Sequence, residues 1–493
     1  MRKVILFVID SLHPVALAKI LSEGNAPALS FLAKQGTYFD RVVSSFPTMT
    51  PVATSSMITG TWPDRHGVPG FIWYNEVIKE IVDYGATRHT VFKIGTEKVL
   101  RNLLIRLNEE HLCLETPTLY EVLEAKGYSA GNVNFFMYRG TQPYCAKVPL
   151  LLALSTCLQF NQVVVSGPSH LTLGQLIRSP FSNWPNGYPR GAFHRFGFND
   201  SFSGKIAARM VREGNQPDLM VVYFPDNDKY SHRHGPLRSG PSIERADFQV
   251  AAVLNEYGSW EEAVEKNLII VTGDHSQTMV GLGKEYLIDL DQALKSFKRL
   301  KVTEEANDDI SQEIAICPNE RMAFIYILQR KSEILPDVVG ILAQDSRNAQ
   351  IAWKVSENRY SVFQGGTEKY LLFSRGGPYQ DVYGQYWSLE GDLSVVDAHV
   401  MGDQKIEFRK FPDALTRLIS ALEARGGSRV VVSAASGYEY LAVGGPIHPG
   451  GGSHGSLEEE DSTVPMIITG MPIQLEHPRI IDLFPLILRH FGL

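Results

Sequence analysis

Three stretches of this chain are almost wholly apolar, and each stops at a polar cluster able to do chemistry. Residues 3–9 read KVILFVI and end at Asp10. Residues 219–224 read LMVVYF and run into Pro225 and Asp226-Asn227-Asp228. Residues 268–273 read LIIVTG and end at Asp274-His275. Apolar runs without alternation are what a parallel sheet covered on both faces requires. Between them lie helical patterns. One of these has Thr116 as N-cap, Pro117 as first helical residue, LYEVLEAK as its body and a stop at Gly127. Alternating strands and helices predict an α/β fold: a mostly parallel central sheet with helices on both faces. Ligands of such sheets bind beyond the carboxyl ends of the strands, so three acidic strand ends point to one site.

The pattern changes from residue 286. Short strands such as RMAFIYIL (321–328) and KYLLFS (369–374) mix with helical stretches and glycine turns, and none carries an acidic strand end of the earlier type. Residues 286–429 therefore read as an inserted α+β accessory or cap domain. The core, residues 1–285, is expected to resume with RVVVSAA near Arg429, occupy 430–493, and finish with VPMIITG (464–470) and a helix.

Charge and composition narrow the function classes. A net charge of −7 over 493 residues, with no run of like charge, gives no footprint for a nucleic-acid polymer. Cys113, Cys145, Cys157 and Cys317 fit no zinc ribbon or redox pair and read as buried free thiols. MRKVILFVID ends in an aspartate without a small-residue cleavage site and reads as a strand, not a signal peptide. The stretch Val148–Val165 is broken by Pro149, Gln159, Asn161 and Gln162, whereas a membrane span needs about 20 mostly apolar residues; it reads as a packed helix and strand. A cytoplasmic protein without a membrane partner is expected. The oligomeric state stays open.

Four segments carry candidate chemistry. Asp10 is a strand-end carboxylate, which can also be a turn or a cap. In SSFPTMTPVATSSMITG (44–60), Thr50 precedes Pro51 and a helical pattern, which puts it at an N-cap. It either only caps or uses the positive end of the helix, which favours an alkoxide and a phosphate. In PDNDKYSHRHGP (225–236), Asp228 and His232 stand four apart, so one helical turn sets both on one face. Asp274-His275 are joined at a distance by His454 in GGGSHGSLEEED. Three aspartates, three histidines and a threonine suffice for two metal sites with oxygen and nitrogen ligands and no sulfur. Two such ions suit in-line displacement at phosphorus.

These residues, in this order, resemble the alkaline phosphatase superfamily and within it the type I phosphodiesterase/nucleotide pyrophosphatase family. The resemblance rests on VIDS with Asp10, FPTMT with Thr50, ITGTWPDRHGV (58–68), DKYSHRHGP (228–236), VTGDHS (271–276) and SHGS (453–456). It implies two divalent metal ions, zinc first and manganese as the alternative. Asp10, Thr50, Asp274 and His275 would hold the ion that activates the nucleophile, and Asp228, His232 and His454 the second. Thr50 would attack phosphorus, and water would then cleave the phosphothreonine. The substrate would be a small phosphate ester, with monoesters and phosphonates as alternatives to diesters.

Two positions depart from the family. Pro51-Val52-Ala53 follows Thr50 where nucleotide pyrophosphatases usually read F-P-N, and HGVPGF (66–71) puts Phe71 where they usually carry a phosphate-binding asparagine. Phe71, Trp73 and Tyr74 either line a pocket for an apolar leaving group or pack in the core. A sulfatase needs cysteine or serine in place of Thr50. The reading from another class is a metal-stabilised binding protein without catalysis.

Overall fold

The computed structural model describes residues 2–156, 158, 162–184, 187–301, 312–328, 332–470 and 473–493. The predicted strands Lys3–Ile9, Leu219–Phe224 and Asn267–Thr272 are neighbours in an eight-stranded sheet. Its order is Gly36–Val43, Thr463–Thr469, Asn267–Thr272, Lys3–Ile9, Leu219–Phe224, Ala130–Val133, His170–Leu173 and Ile177–Arg178. The pairings from Asn267–Thr272 to His170–Leu173 are parallel. Thr463–Thr469 and Ile177–Arg178 run antiparallel to the strands beside them.

Successive residues of each central strand enter different cores. Val4, Leu6 and Val8 pack in one cluster with Met57, Leu123 and Ile487 from helices Thr50–Thr59, Leu119–Ala125 and Leu483–His490. Ile5, Phe7 and Ile9 pack in another with Leu17, Ile206 and Val250 from helices Pro14–Glu23, Asp200–Arg212 and Gly240–Leu254. Burial on both faces is why these runs read as uninterrupted apolar segments. The register sets the site. Val8 pairs with Thr272 and Ile9 with Phe224, so the chains leave the sheet together at Asp10, Pro225 and Asp274.

A second sheet of nine strands begins with the hairpin Ile314–Asn319 and Met322–Ile327. Strand Arg429–Ala434, where the core is expected to resume, pairs inside this sheet between Met322–Ile327 and Asn348–Ser356. Its Val430 and Val432 face one cluster and Val431 another, so its sequence looks like a central strand of either sheet. The chain returns to the first sheet only at Thr463–Thr469.

Three local expectations are corrected. The helix expected from Thr116 starts at Leu119, with Thr118 as N-cap in a capping box with Glu121; Thr116 instead donates its hydroxyl to the carbonyl of Arg65. Val148–Val165 does contain a helix, Leu150–Ser155, and the start of strand Gln162–Gly167. It is not fully packed, because Leu150, Leu151, Leu154 and Val164 are exposed. Of the cysteines, Cys317 is buried, Cys113 half-buried and Cys145 exposed, and Cys157 lies outside the described residues. Among the described residues no helix is long and apolar enough to cross a membrane.

Candidate active site

Every sequence-predicted site residue converges on the carboxyl ends of the central strands. Asp10 accepts from the Tyr223 hydroxyl through Oδ2 at 2.5 Å. Asp274 accepts through Oδ1 from the backbone N–H groups of Ser11 and His275, at 3.1 and 2.9 Å. The other oxygen of each, Asp10 Oδ1 and Asp274 Oδ2, is buried without a hydrogen-bond partner. These two oxygens lie 3.8 and 3.7 Å from Nε2 of His275. Two orphaned carboxylate oxygens beside an imidazole nitrogen fit a divalent cation, since buried acceptors are otherwise paired. Burial and the negative charges of Asp274 and Asp228 push the Asp10 carboxyl well above its ordinary range, a cost that a cation there would relieve.

Thr50 is the first residue of helix Thr50–Thr59, with Met49 in the cap position and no side-chain capping bond. Its Oγ1 is therefore not spent on capping, and it lies 3.1 Å from His275 Nε2. The Nδ1 of His275 is 3.1 Å from the carbonyl of Ser276, which assigns the proton to Nδ1 and leaves Nε2 with its lone pair toward Thr50.

Asp228 and His232 lie on helix Asp226–His234, with Asp228 Oδ1 3.2 Å from His232 Nε2. Nε2 of His454 is 3.7 Å from the same oxygen. Ser11 Oγ and Gln277 Nε2 donate to Asp228 Oδ1 at 2.8 and 2.7 Å and hold it in place. Asp226 is not part of the site: it pairs with Arg195 and accepts from the backbone of Asp200. His232 and His454 each have Nδ1 on a backbone carbonyl, of Gly452 at 2.8 Å and Thr48 at 2.7 Å. That arrangement aims Nε2 inward, as in metal-ligating histidines.

The sequence reading missed Glu320 and His448. Glu320 is one of two turn residues between Ile314–Asn319 and Met322–Ile327, so the second sheet does deliver a carboxylate, on the entry side of RMAFIYIL and not at its end. His448 stacks on His232 with ring centroids 4.0 Å apart, and its Nδ1 lies 2.8 Å from Glu439 Oε1. Among the described residues, side-chain donors gather in three groups: Asp10, Asp274 and His275; Asp228, His275 and His454; His232, Glu320 and His448. The Gly451-Gly452-Ser453-His454-Gly455 segment has the form of a serine-hydrolase elbow. Ser453 Oγ, however, is bonded to Glu439 and Glu320, at 2.7 and 2.9 Å, and sits on a two-residue strand.

A cavity of about 230 Å³ opens over these groups and is lined by Thr50, Phe71, Asp228, Glu320, His448 and His454, among others. Larger cavities, one at Lys93 and Arg299 and another at Arg41 and Tyr383, hold none of the predicted residues. Of the three aromatic candidates, Trp73 and Tyr74 are buried in the core, and only Phe71 lines the pocket. Asn319, beneath Phe71, spends its amide on that loop: Oδ1 accepts from the N–H groups of Phe71 and Ile72, at 2.6 and 3.1 Å, and Nδ2 donates to the Ile72 carbonyl at 2.8 Å.

Strands ending in carboxylates, an unspent threonine hydroxyl and inward-facing imidazoles thus meet at one pocket, and the protein is of the phosphoric ester hydrolase class. The chain belongs to the type I phosphodiesterase/nucleotide pyrophosphatase family, whose sequence model matches residues 4–364. Its fold is similar to that of murine ectonucleotide pyrophosphatase/phosphodiesterase 5, at 14% identity and a TM-score of 0.57, covering 100% of this chain and 95% of that one. An inactive threonine-to-alanine form of the murine protein in complex with AMP aligns at 14% identity and a TM-score of 0.58, over 100% and 96% of the two chains. The human protein aligns at 14% and 0.56, over 100% and 95%. Comparison with curated proteins gives no match.

Proposed function

We propose that this protein is a two-metal phosphodiesterase that works through a phosphothreonine on Thr50. The observation that carries this reading is the Thr50 hydroxyl, free of its capping role and 3.1 Å from His275 Nε2, beside the two orphaned oxygens of Asp10 and Asp274. Asp10, Thr50, Asp274 and His275 would hold one ion, and Asp228, His232 and His454 the other. The nitrogen and oxygen donors suit zinc first and manganese second. When bound, the ions stabilise charge on the attacking and leaving oxygens of an in-line displacement.

The chain's own residues supply the rest. Thr50 Oγ1 forms the bond to phosphorus as the bond to the leaving oxygen breaks, its proton passing to solvent and the leaving oxygen taking one up to depart as the alcohol. Water then attacks the phosphothreonine from the opposite side and returns the threonine. Tyr223, Ser11 and Gln277 keep the carboxylates oriented through their hydrogen bonds. Phe71, Met49, Pro318 and Pro446 give the pocket an apolar wall for the leaving group. That the murine neighbour binds AMP in its inactive form supports a small, nucleotide-like phosphate ester as the substrate class. We also read the catalytic unit as interrupted by an inserted unit from about residue 286. The pairing of Arg429–Ala434 supports closing that insertion after Ala434.

The test is metal content of the purified protein together with hydrolysis of bis-p-nitrophenyl phosphate and p-nitrophenyl phosphate before and after chelation. Two ions per chain and chelator-sensitive cleavage, faster on the diester, are expected. A folded protein that neither holds nor takes up metal would overturn the reading.

A further inference from the structure

We infer that Glu320 is a fourth protein ligand of the leaving-group metal, delivered into the catalytic site by the hairpin of the second sheet. The inference rests on the two-metal reading and goes beyond its seven residues.

Distances between donor atoms carry the argument. Asp228 Oδ1 is 3.2 Å from His232 Nε2 and 3.7 Å from His454 Nε2. Glu320 closes the ring, with Oε2 3.5 Å from His454 Nε2 and Oε1 3.9 Å from His232 Nε2. Four donors placed tetrahedrally around zinc at about 2.0–2.1 Å stand about 3.4 Å from one another. The four separations, which involve both Glu320 oxygens, lie within about half an ångström of that spacing.

The surroundings of Glu320 point the same way. Its side chain is 7% exposed, and among the described residues its ion-pair partners are the histidines His232, His448 and His454. The neighbouring Arg321 turns away and spends its charge on Glu458 and Asp461. Ser453 Oγ and the His454 backbone N–H donate to Oε2, at 2.9 and 3.1 Å, and orient the carboxylate. Oε1 is left facing His232. The backbone of Glu320 has φ +59°, a left-handed conformation in which glycine and asparagine are at home and glutamate is not. A buried, strained glutamate whose ion-pair partners are imidazoles is suited to a cation held among those same rings. Charge agrees: Asp10, Asp228, Asp274 and Glu320 together balance two dications.

A rival position lies between His232, Glu320 and His448, whose donors also fall within reach of one another. His232 Nε2 has a single lone pair, however, and stands closer to Asp228 than to Glu320. His448 is held by Glu439 at Nδ1 and stacks on His232, which makes it a positioning residue.

Two measurements test the assignment. Crystals of the wild-type protein loaded with zinc should show an anomalous peak about 2.0–2.2 Å from a Glu320 oxygen and within bonding distance of Asp228. Competition with a chromophoric chelator should show that Glu320→Gln, which keeps the shape and can still accept from Ser453 and His454, weakens the second zinc at least tenfold and leaves the first unchanged. A zinc peak beyond 3 Å from Glu320 would overturn the inference, as would one on His232 and His448 but not Asp228, or wild-type affinity in Glu320→Gln. Absence of tight zinc in the wild type would instead overturn the two-metal reading.

Discussion

Nε2 of His275 lies 3.1 Å from Oγ1 of Thr50, and the proton on Nδ1 of that ring fixes the facing nitrogen as a lone pair. That lone pair faces the position proposed for the ion of Asp10, Asp274 and His275, so the Thr50 oxygen stands beside the same position at the start of its helix. If Thr50 is the nucleophile, Thr50→Ala should lower kcat for diester hydrolysis by at least about a thousandfold. The second ion should remain bound, since its ligands are untouched. Thr50→Ser should retain measurable turnover. Steady-state kinetics with metal analysis on the same samples checks this, and near-normal kcat in a metal-loaded Thr50→Ala protein would remove Thr50 from the mechanism.

Arg321 anchors the hairpin that presents Glu320. Its guanidinium donates to Asp461 Oδ1 at 2.5 Å and Glu458 Oε2 at 2.8 Å, and all three side chains are buried. Removing the cation leaves two buried carboxylates, with Lys410 beside Glu458 as partial compensation. Arg321→Met is expected to cost about 3 kcal/mol of stability, toward the lower end of what breaking a buried pair costs. Denaturant unfolding would show it as a lower midpoint at constant slope. A loss under about 0.5 kcal/mol would show that the network contributes little.

Much of this site was legible in the chain because parallel strands leave the same edge of a sheet. Asp10, Asp228 and Asp274 follow runs whose burial on both faces erases alternation, so both the strands and their chemistry could be read. His232 follows from helical spacing to Asp228. His454 has no such signal in strand or helix spacing, and only the SHGS match of the family resemblance singles it out. Glu320 was hidden for a different reason. It lies before an apolar strand of the second sheet, in a two-residue turn, where a polar residue ordinarily means only solvent. Thr118 was passed over for Thr116 because Pro117 looks like a first helical residue, whereas the capping box with Glu121 decides the start. The run at Arg429–Ala434 reads as the resumption of the core but pairs within the second sheet, because a central strand looks the same in both.

Phe71 stands where the family usually has an amide, and its ring meets Tyr84 edge-on with centroids 6.1 Å apart at the pocket wall. If that wall receives the leaving group, Phe71→Ala should raise KM for aryl diesters about five- to tenfold, the equivalent of about 1–1.4 kcal/mol. Diesters with small alkyl leaving groups should change little. Paired kinetics on the two substrate types distinguishes this from a packing defect, which would impair hydrolysis of both alike.

His66, in the motif that follows the nucleophile helix, gives a pH prediction independent of the metals. Its Nδ1 accepts from the Val68 N–H at 3.2 Å, so Nε2 carries the proton toward Ser56 Oγ at 3.1 Å. The ring is fully buried, and that burial lowers its pKa from 6.5 to about 3. The folded state therefore refuses a proton that the unfolded chain accepts below pH 6.5. Its contribution is intact above that pH and is lost as pH falls from 6.5 toward 3, at up to about 1.4 kcal/mol per unit. His13 and His111, lowered by burial to about 4 and about 3, act with the same sign. Asp83 and Asp413, raised by burial to about 6, act with the opposite sign, so the isolated effect of His66 must be read as a difference. His66→Gln should be less stable than wild type at pH 8, and the gap in unfolding free energy should narrow steadily between pH 6.5 and 4.5. A gap that stays constant across that range would show that His66 is protonated equally in both states.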